Sequence, residues 1–279
     1  DRLNRADAAA VKFGVDREEA IASLFDAISN NAEGDFETIL KADRVIPAEV
    51  GAKFVGEFRK VFENENLTAA ESLNIGLAAA GTSKFNVQEI QPQIRTAAQG
   101  AATLPGVESS DVAAFVSVLG TKFGDQTGTA VRALQSNLGA TLISQQDELK
   151  TAEPAQRPAI QRNIDILSGG LSSIVEELAK EENSELRKGI IKDNKELLKT
   201  FAVASDSIES IKNVDRTIEA EQAKAGGENS LVNRKLNTFF SDPVLSANVD
   251  AKRQEIRAQV ATEDRNSVFG NRQKEARFA

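Results

Sequence analysis

Few of the residues in this chain could do chemistry, and the ones that could are mostly carboxylates. Its 279 residues include no His, Cys, Met, Trp or Tyr, alongside 14 Phe. Read as written, this rules out zinc or haem sites built on His or Cys, a Cys nucleophile and a Ser–His dyad. Carboxylates occur as neighbours at Glu18-Glu19, Glu176-Glu177 and Glu181-Glu182. A pair of carboxyl groups can hydrolyse a glycosidic bond as acid and base. Adjacent residues on a helix, however, point about 100° apart, so helix capping and solvated faces are the better reading. The run Gly124–Gly128 (GDQTG) before a helix suggests an anion-binding helix N-terminus. It lacks the lysine and spacing of a phosphate loop and follows no strand, so it reads as a tight turn; Gly169-Gly170 reads the same way. Phe54, Phe58 and Phe62 at four-residue spacing fit a ligand wall, but fit a core stripe better. The basic cluster Lys252, Arg253, Arg257, Arg265, Arg272, Lys274 and Arg277 is interleaved with Glu255, Glu263, Asp264 and Glu275, as on a solvated or subunit-facing helix. No catalytic, cofactor-binding or metal-ligating residue is assigned, and the chain reads as a non-enzyme.

Average usage would supply roughly twenty to thirty of the five missing residue types in a chain this long. Their joint absence is the pattern left when identities follow side-chain shape in a density map. Tyr then stands as Phe, Met as Leu or Gln, and His as Asn or Gln. Peptide mass spectrometry of the native chain tests this. If identities do follow shape, the absences carry no argument about chemistry. The redox compartment is not legible from missing Cys in either case.

Composition sets the class. With 41% apolar and 27% charged residues the chain can bury a sizeable core. A net charge of −8 argues against general nucleic-acid binding, which wants a basic face. No apolar run approaches the ~18–20 residues of a membrane span. The opening DRLNRADAAA has neither an initiator Met nor the apolar stretch of a signal peptide, and the chain is expected to be an interior piece of a longer protein.

The elements that must carry these residues are helices throughout: apolar residues recur at three- and four-residue spacing and strand-like alternation is almost absent. Asp16 with Glu19 has the form of a capping box and opens a helix along Val15, Ala20, Leu24, Ala27 and Ile28. Asp35 caps a short helix, and Pro47 opens one carrying Val50, Phe54, Val55, Phe58, Val61 and Phe62. Thr68 with Glu71, Asn86 with Glu89, and Ser109 or Ser110 open three further alanine-rich helices. These stop near Gly81, Gly100, and Gly120 or Gly124. A fourth helix follows Gly128, and alanine and glycine on the buried faces permit close helix approach. The result is an expected compact four-helix block at 67–142 within a domain at 1–150. Thr151–Pro158 (TAEPAQRP) is placed as a boundary. The second domain, 151–279, is more polar. Its seam Ile208, Ile211, Val214 and Ile218 predicts coiled-coil-like packing against a partner. The expected fold is an all-α multi-helix bundle of ten or more short capped helices.

Four segments carry a family resemblance: DREEAIASLFDAI at Asp16–Ile28, LTAAESLNIGLAAAG at Leu67–Gly81, NVQEIQPQIRTAAQGA at Asn86–Ala101, and SSDVAAFVSVLGTKFGDQTGTAVRALQSNLG at Ser109–Gly139. Together they resemble a segment of bacteriophage tail tape-measure proteins, with Gly128–Leu134 similar to the G-T-A-x-R-A-L-like helix that ends such blocks. The likeness covers Asp16 to Leu142 and fades beyond Thr151. It implies a structural virion protein that occupies the tail tube lumen or tip, sets tail length, and leaves at genome ejection. It also implies contact with tail tube and distal hub proteins and with the host envelope on ejection, and a homo-oligomer, most often a trimer. The narrow seam adds a sequence argument for threefold assembly, with the second half nearer the axis. A helical virion-internal scaffold or adaptor with no role in length shows the same caps. A lytic enzyme region would need an isolated, perturbed carboxylate in a cleft, for which the sequence offers no candidate. A continuous helix of 279 residues would span about 420 Å, but the many caps and glycines preclude one. The piece is therefore expected to be a folded part of the protein near one end, with the extended ruler elsewhere.

Overall fold

A computed structural model of the chain describes the backbone of residues 2–192 and 194–278 and the side chains of residues 2–192 and 194–262. Among the described residues there are fifteen α-helices, four short 3-10 turns and no strand, the all-α fold that the spacing predicts. The chain forms two compact units, residues 54–232 and residues 1–53 with 233–279.

In the 54–232 unit the capped helices stand in the predicted order: α5 (Ala69–Thr82), α6 (Val87–Ala101), α7 (Ser109–Phe123) and α8 (Thr127–Thr151). Two full capping boxes form. Thr68 Oγ1 accepts from Glu71 N at 3.2 Å while Glu71 Oε2 accepts from Thr68 N at 2.7 Å. Asn86 Oδ1 accepts from Glu89 N at 3.0 Å while Glu89 Oε2 accepts from Asn86 N at 2.9 Å. Each satisfies N–H groups that a helix start leaves without partners. Gly124, at φ +54°, ends α7 in a conformation that suits glycine.

Small residues let the helices approach. Between α6 and α8, a Cβ on Gly128 would come within 2.5 Å of the Gln93 carbonyl oxygen, and one on Gly139 of α8 would come within 2.0 Å of Thr103 Oγ1 in the turn after α6. The stripe Val112, Phe115, Val116 and Leu119 on α7 is fully buried. The end of α4 (Ala48–Val61) and Phe62 add a stack of aromatic rings: Phe54–Phe58 centroids lie 4.7 Å apart and Phe58–Phe62 4.9 Å. These phenylalanines are core, at 1%, 0% and 5% exposure.

The expected division at residue 151 is not the one the fold makes. The Thr151–Pro158 run holds a short turn, residues 152–156, inside the 54–232 unit, with its ends in the flanking helices. After it α9 (Arg157–Leu167) folds back onto α8, burying Ile160, Ile164 and Leu167. α10 (Leu171–Ala179), α11 (Ser184–Ile191), α12 (Lys195–Asp206) and α13 (Ile208–Gln222) complete the same core. The break in composition marks a tight polar turn, and the apolar residues beyond it decide the packing. The block 67–142 is thus not self-contained, since α13 lies along both α7 and α5 and α12 lies on α7 and α8.

The other unit contains a helix the sequence reading missed, α1 (Arg2–Phe13), which buries Ala6, Ala9 and Ala10 and packs on α2 (Arg17–Ser29) and on α15 (Pro243–Phe278). α3 (Phe36–Ala42) follows Asp35 where a short helix is expected, and α14 (Leu231–Phe240) carries the buried Val232 and Leu236. Asp16 does not complete its box, because its carboxylate pairs with Lys252 and makes no side-chain cap.

Candidate functional site

Four carboxylates raised above their ordinary pKa gather where α13 lies on the N-terminal turn of α7. Asp111, third residue of α7 and 5% exposed, is placed there by the buried stripe that begins at Val112. Its Oδ2 accepts from the Leu171 backbone N–H, and its Oδ1 accepts from Ser172 Oγ at 2.7 Å and from Ser172 N at 3.4 Å. A side chain sixty residues away thus caps the start of α10, where the helix dipole favours negative charge. Burial pushes the Asp111 carboxyl above the usual carboxylate range, against the pull of these three hydrogen bonds.

Asp215 faces the same turn from α13. Ser110 donates a hydrogen bond to it, yet its Oδ1 is buried without a partner. Burial, and then the like charges of Asp111 and Glu108, push its pKa up to about 6; Ser110 and Arg216 pull the other way. One turn on, Glu219 is raised by burial and by Asp215. On the far side, Glu65 accepts from Ser109 N at 2.7 Å and from Ser109 Oγ at 2.5 Å, so it takes the capping role expected of Ser109 or Ser110 themselves. Nearby, the fully buried Asn74 of α5 donates to the Glu221 carbonyl at 2.9 Å and accepts from Val232 N at 3.4 Å, fixing the end of α13.

Perturbed carboxylates often mark functional sites, but structural networks perturb them as well. Both Asp111 oxygens are occupied by the α10 terminus. Three clefts lined by described residues, about 540 Å³ beside Asn137 and Lys192, about 250 Å³ beside Lys12 and Arg253, and about 320 Å³ beside Gly14 and Lys252, include none of Glu65, Asp111, Asp215 or Glu219. The arrangement caps helices and holds a proton at Asp215 in mildly acidic solution. Among the described residues no group of three or more His, Cys, Asp or Glu is placed to hold a metal ion, and no helix is long and apolar enough to cross a membrane.

The motifs weighed from sequence resolve individually. In GDQTG, the Gly128 N–H donates to Gln93 Oε1 at 2.8 Å and Thr127 Oγ1 donates to the Gly124 carbonyl at 2.5 Å, so the motif is a turn seated against α6. Gly169-Gly170 leads into α10, with Gly106 pressed against the Ser168 carbonyl. Two of the three acidic pairs make ion pairs, Glu176 with Lys212 at 2.7 Å, Glu177 with Lys180 at 2.5 Å, and Glu182 with Arg162 at 2.5 Å, while in Glu18-Glu19 the Glu19 carboxyl is raised by burial and by a hydrogen bond with Asp43. In the basic cluster, Lys252 pairs with Asp16 and Glu255 and Arg253 with Asp250. The side chains of Arg265, Arg272, Lys274 and Arg277 lie outside the described residues.

The seam reading needs a correction. Ile211 and Ile218 are fully buried, and α7, α5 and α10 of the same chain cover them. The strip therefore needs no second copy, and the sequence argument for oligomerisation falls away. A signal for Asp215 was present in that strip: Ile211, Asp215 and Ile218 follow at helical spacing, placing a carboxylate on the apolar side. No family model, curated protein or solved structure matches the chain.

Proposed function

We propose that this chain is a folded segment of a phage tail tape-measure protein, a structural virion component of the tail tube lumen or tip that leaves at genome ejection. The observation that carries the reading is the run of capped, alanine-rich helices from Thr68 to Leu142. Its order of caps, glycines and the closing helix resembles that family, and its glycines serve to bring α6 and α8 together. Glu65 and Asp111 cap helix starts, and none of the raised carboxylates Glu65, Asp111, Asp215 and Glu219 lines the three clefts, which suits a structural role. Tail tube and distal hub proteins are the proposed partners, with the host envelope met on ejection. Threefold assembly now rests on the resemblance alone.

One observation favours a second reading, a helical adaptor with no part in length. The longest helix of the 54–232 unit is α8, whose 25 residues span about 37 Å, so a unit folded this way is no ruler by itself. Purified tails separate the readings. On the tape-measure reading the chain is present in them, and in-frame deletions elsewhere in its gene shorten tails in proportion. Tails of constant length that still contain the chain would favour the adaptor, and tails without the chain would sink both.

A further inference from the structure

The unit formed by residues 1–53 and 233–279 carries a cleft of about 250 Å³ whose chemistry the structural reading does not use. Val15, Leu40 and Leu236 supply buried apolar walls, and Phe240, 36% exposed, adds a ring open to water. Lys12, Lys41, Arg44 and Arg253 also line it, arriving from α1, α3, the turn after α3, and α15. This convergence occurs in a chain whose net charge is −8.

The four cations are not neutralised in kind. Lys12 pairs with Glu37 at 2.7 Å, an exposed pair, and Arg253 pairs with Asp250 at 3.0 Å while also donating to the Lys12 carbonyl. Lys41 donates to Asn233 Oδ1 at 2.7 Å and Arg44 to the Gly14 carbonyl at 2.9 Å, both neutral oxygens. The four cations thus exceed the two carboxylates ion-paired with them by two. Arg44 also acts on Glu19, which does not line the cleft. Apolar walls beneath a cationic mouth complement a ligand with one anionic group on a short hydrocarbon body. The volume lies just below the ~300–1,000 Å³ of sites for drug-sized ligands, which selects a small amphiphile over a folded partner.

We propose that this cleft binds a small amphiphilic carboxylate of the medium-chain fatty-acid type, its head held by Lys41 and Arg44 and its chain against Leu236 and Phe240. The inference is independent of the tail reading. Octanoate is the probe, titrated calorimetrically into the full chain at low salt, with acetate and octan-1-ol as controls for head and tail alone. Saturable one-to-one binding is expected, at least tenfold tighter than for either control and weakened by added salt. Lys41→Glu should weaken octanoate binding at least fivefold with the thermal melt unchanged; if that variant unfolds, Lys41→Gln replaces it, with at least a twofold loss expected. Lys150→Glu, a charge reversal on α8, should leave binding unchanged. Octanol binding as tightly as octanoate, absence of saturable binding, or full affinity in a folded Lys41 variant would each overturn the proposal.

Discussion

Gln91 and Gln135 are 1% and 0% exposed, and neither the oxygen nor the nitrogen of either carboxamide has a hydrogen-bond partner. Each side chain lies over a glycine of a neighbouring helix, Gln91 over Gly76 and Gln135 over Gly100. A buried amide left without partners costs about 1–3 kcal/mol, whereas methionine fills nearly the same volume with no polar group to satisfy. Gln135→Met should therefore raise stability by about 1–2 kcal/mol in chemical denaturation, and Gln91→Met should act likewise; a loss of stability in both would show that the amides find partners in solution. The same two positions are the sharpest test of the composition. If identities here follow side-chain shape, a native digest should return Met at 91 and 135, and a digest returning only the written letters ends that reading. The opposite case is Asp111, whose oxygens are fully used. Asp111→Ala should cost about 2 kcal/mol or more by stripping the cap from α10, and hydrogen exchange at Leu171 and Ser172 should rise with it. The caps show what the sequence could reveal at this scale. Thr68 with Glu71 and Asn86 with Glu89 were legible because both partners sit within one turn. Asp16 holds the N-cap position of α2 without a side-chain cap, and the start of α7 is capped by Glu65 in place of Ser109, because the groups that claim them, Lys252 and Glu65, are distant in sequence.

At the scale of elements, the fit of α6 against α8 and of α13 against α7 each yields a measurement. Gly128 meets a backbone oxygen that cannot swing aside, so Gly128→Ala should destabilise by about 1–3 kcal/mol despite alanine's better helix propensity. Gly81, near the end of α5, has open space where a Cβ would go, and Gly81→Ala should stabilise by about 0.5–1 kcal/mol. Equal effects at the two sites would mean that α6 and α8 can slide apart at little cost. For α13, the sign follows from Asp215. Its folded pKa, about 6, lies above the ordinary 3.8, so the folded chain holds this proton more tightly than the unfolded one. The Asp215 contribution is then most favourable below about pH 4, is lost as pH rises towards 6, and stays lost above it. Asp215→Asn should be more stable than the parent at pH 7–8, and the difference should shrink as pH falls from 6 to 4. The other raised carboxyls, Glu19, Asp26, Glu65, Asp111 and Glu219, remain in both proteins, so the difference between the two curves reports Asp215 together with its own effect on Glu219. A constant difference across that range would place its carboxylate in water.

For the molecule as a whole, what separates units is where apolar surface is shared, and composition is a poor guide to that. The polar, proline-bearing run Thr151–Pro158 looks like a linker, yet Ile160, Ile164 and Leu167 beyond it fold back onto α8. The narrow strip on α13 looks like half of an interface between copies, yet its other half is α7 and α5, far earlier in the same chain. Helix periodicity states that a strip must be covered and is silent about what covers it, so element positions were legible and long-range pairings were not. The two divisions of the chain make opposite forecasts for fragments. Cutting after residue 150 removes α13 from α7 and α5 and removes α9 and α12 from α8, opening a core that includes Val112, Phe115 and Leu134. Such a 1–150 fragment should keep helical circular dichroism, bind a hydrophobic dye and melt without a sharp transition. A fragment of residues 54–232 keeps that core closed and should melt cooperatively as a two-state unit. A cooperative melt from the 1–150 fragment, matched by a broad one from 54–232, would restore the boundary at the TAEPAQRP turn.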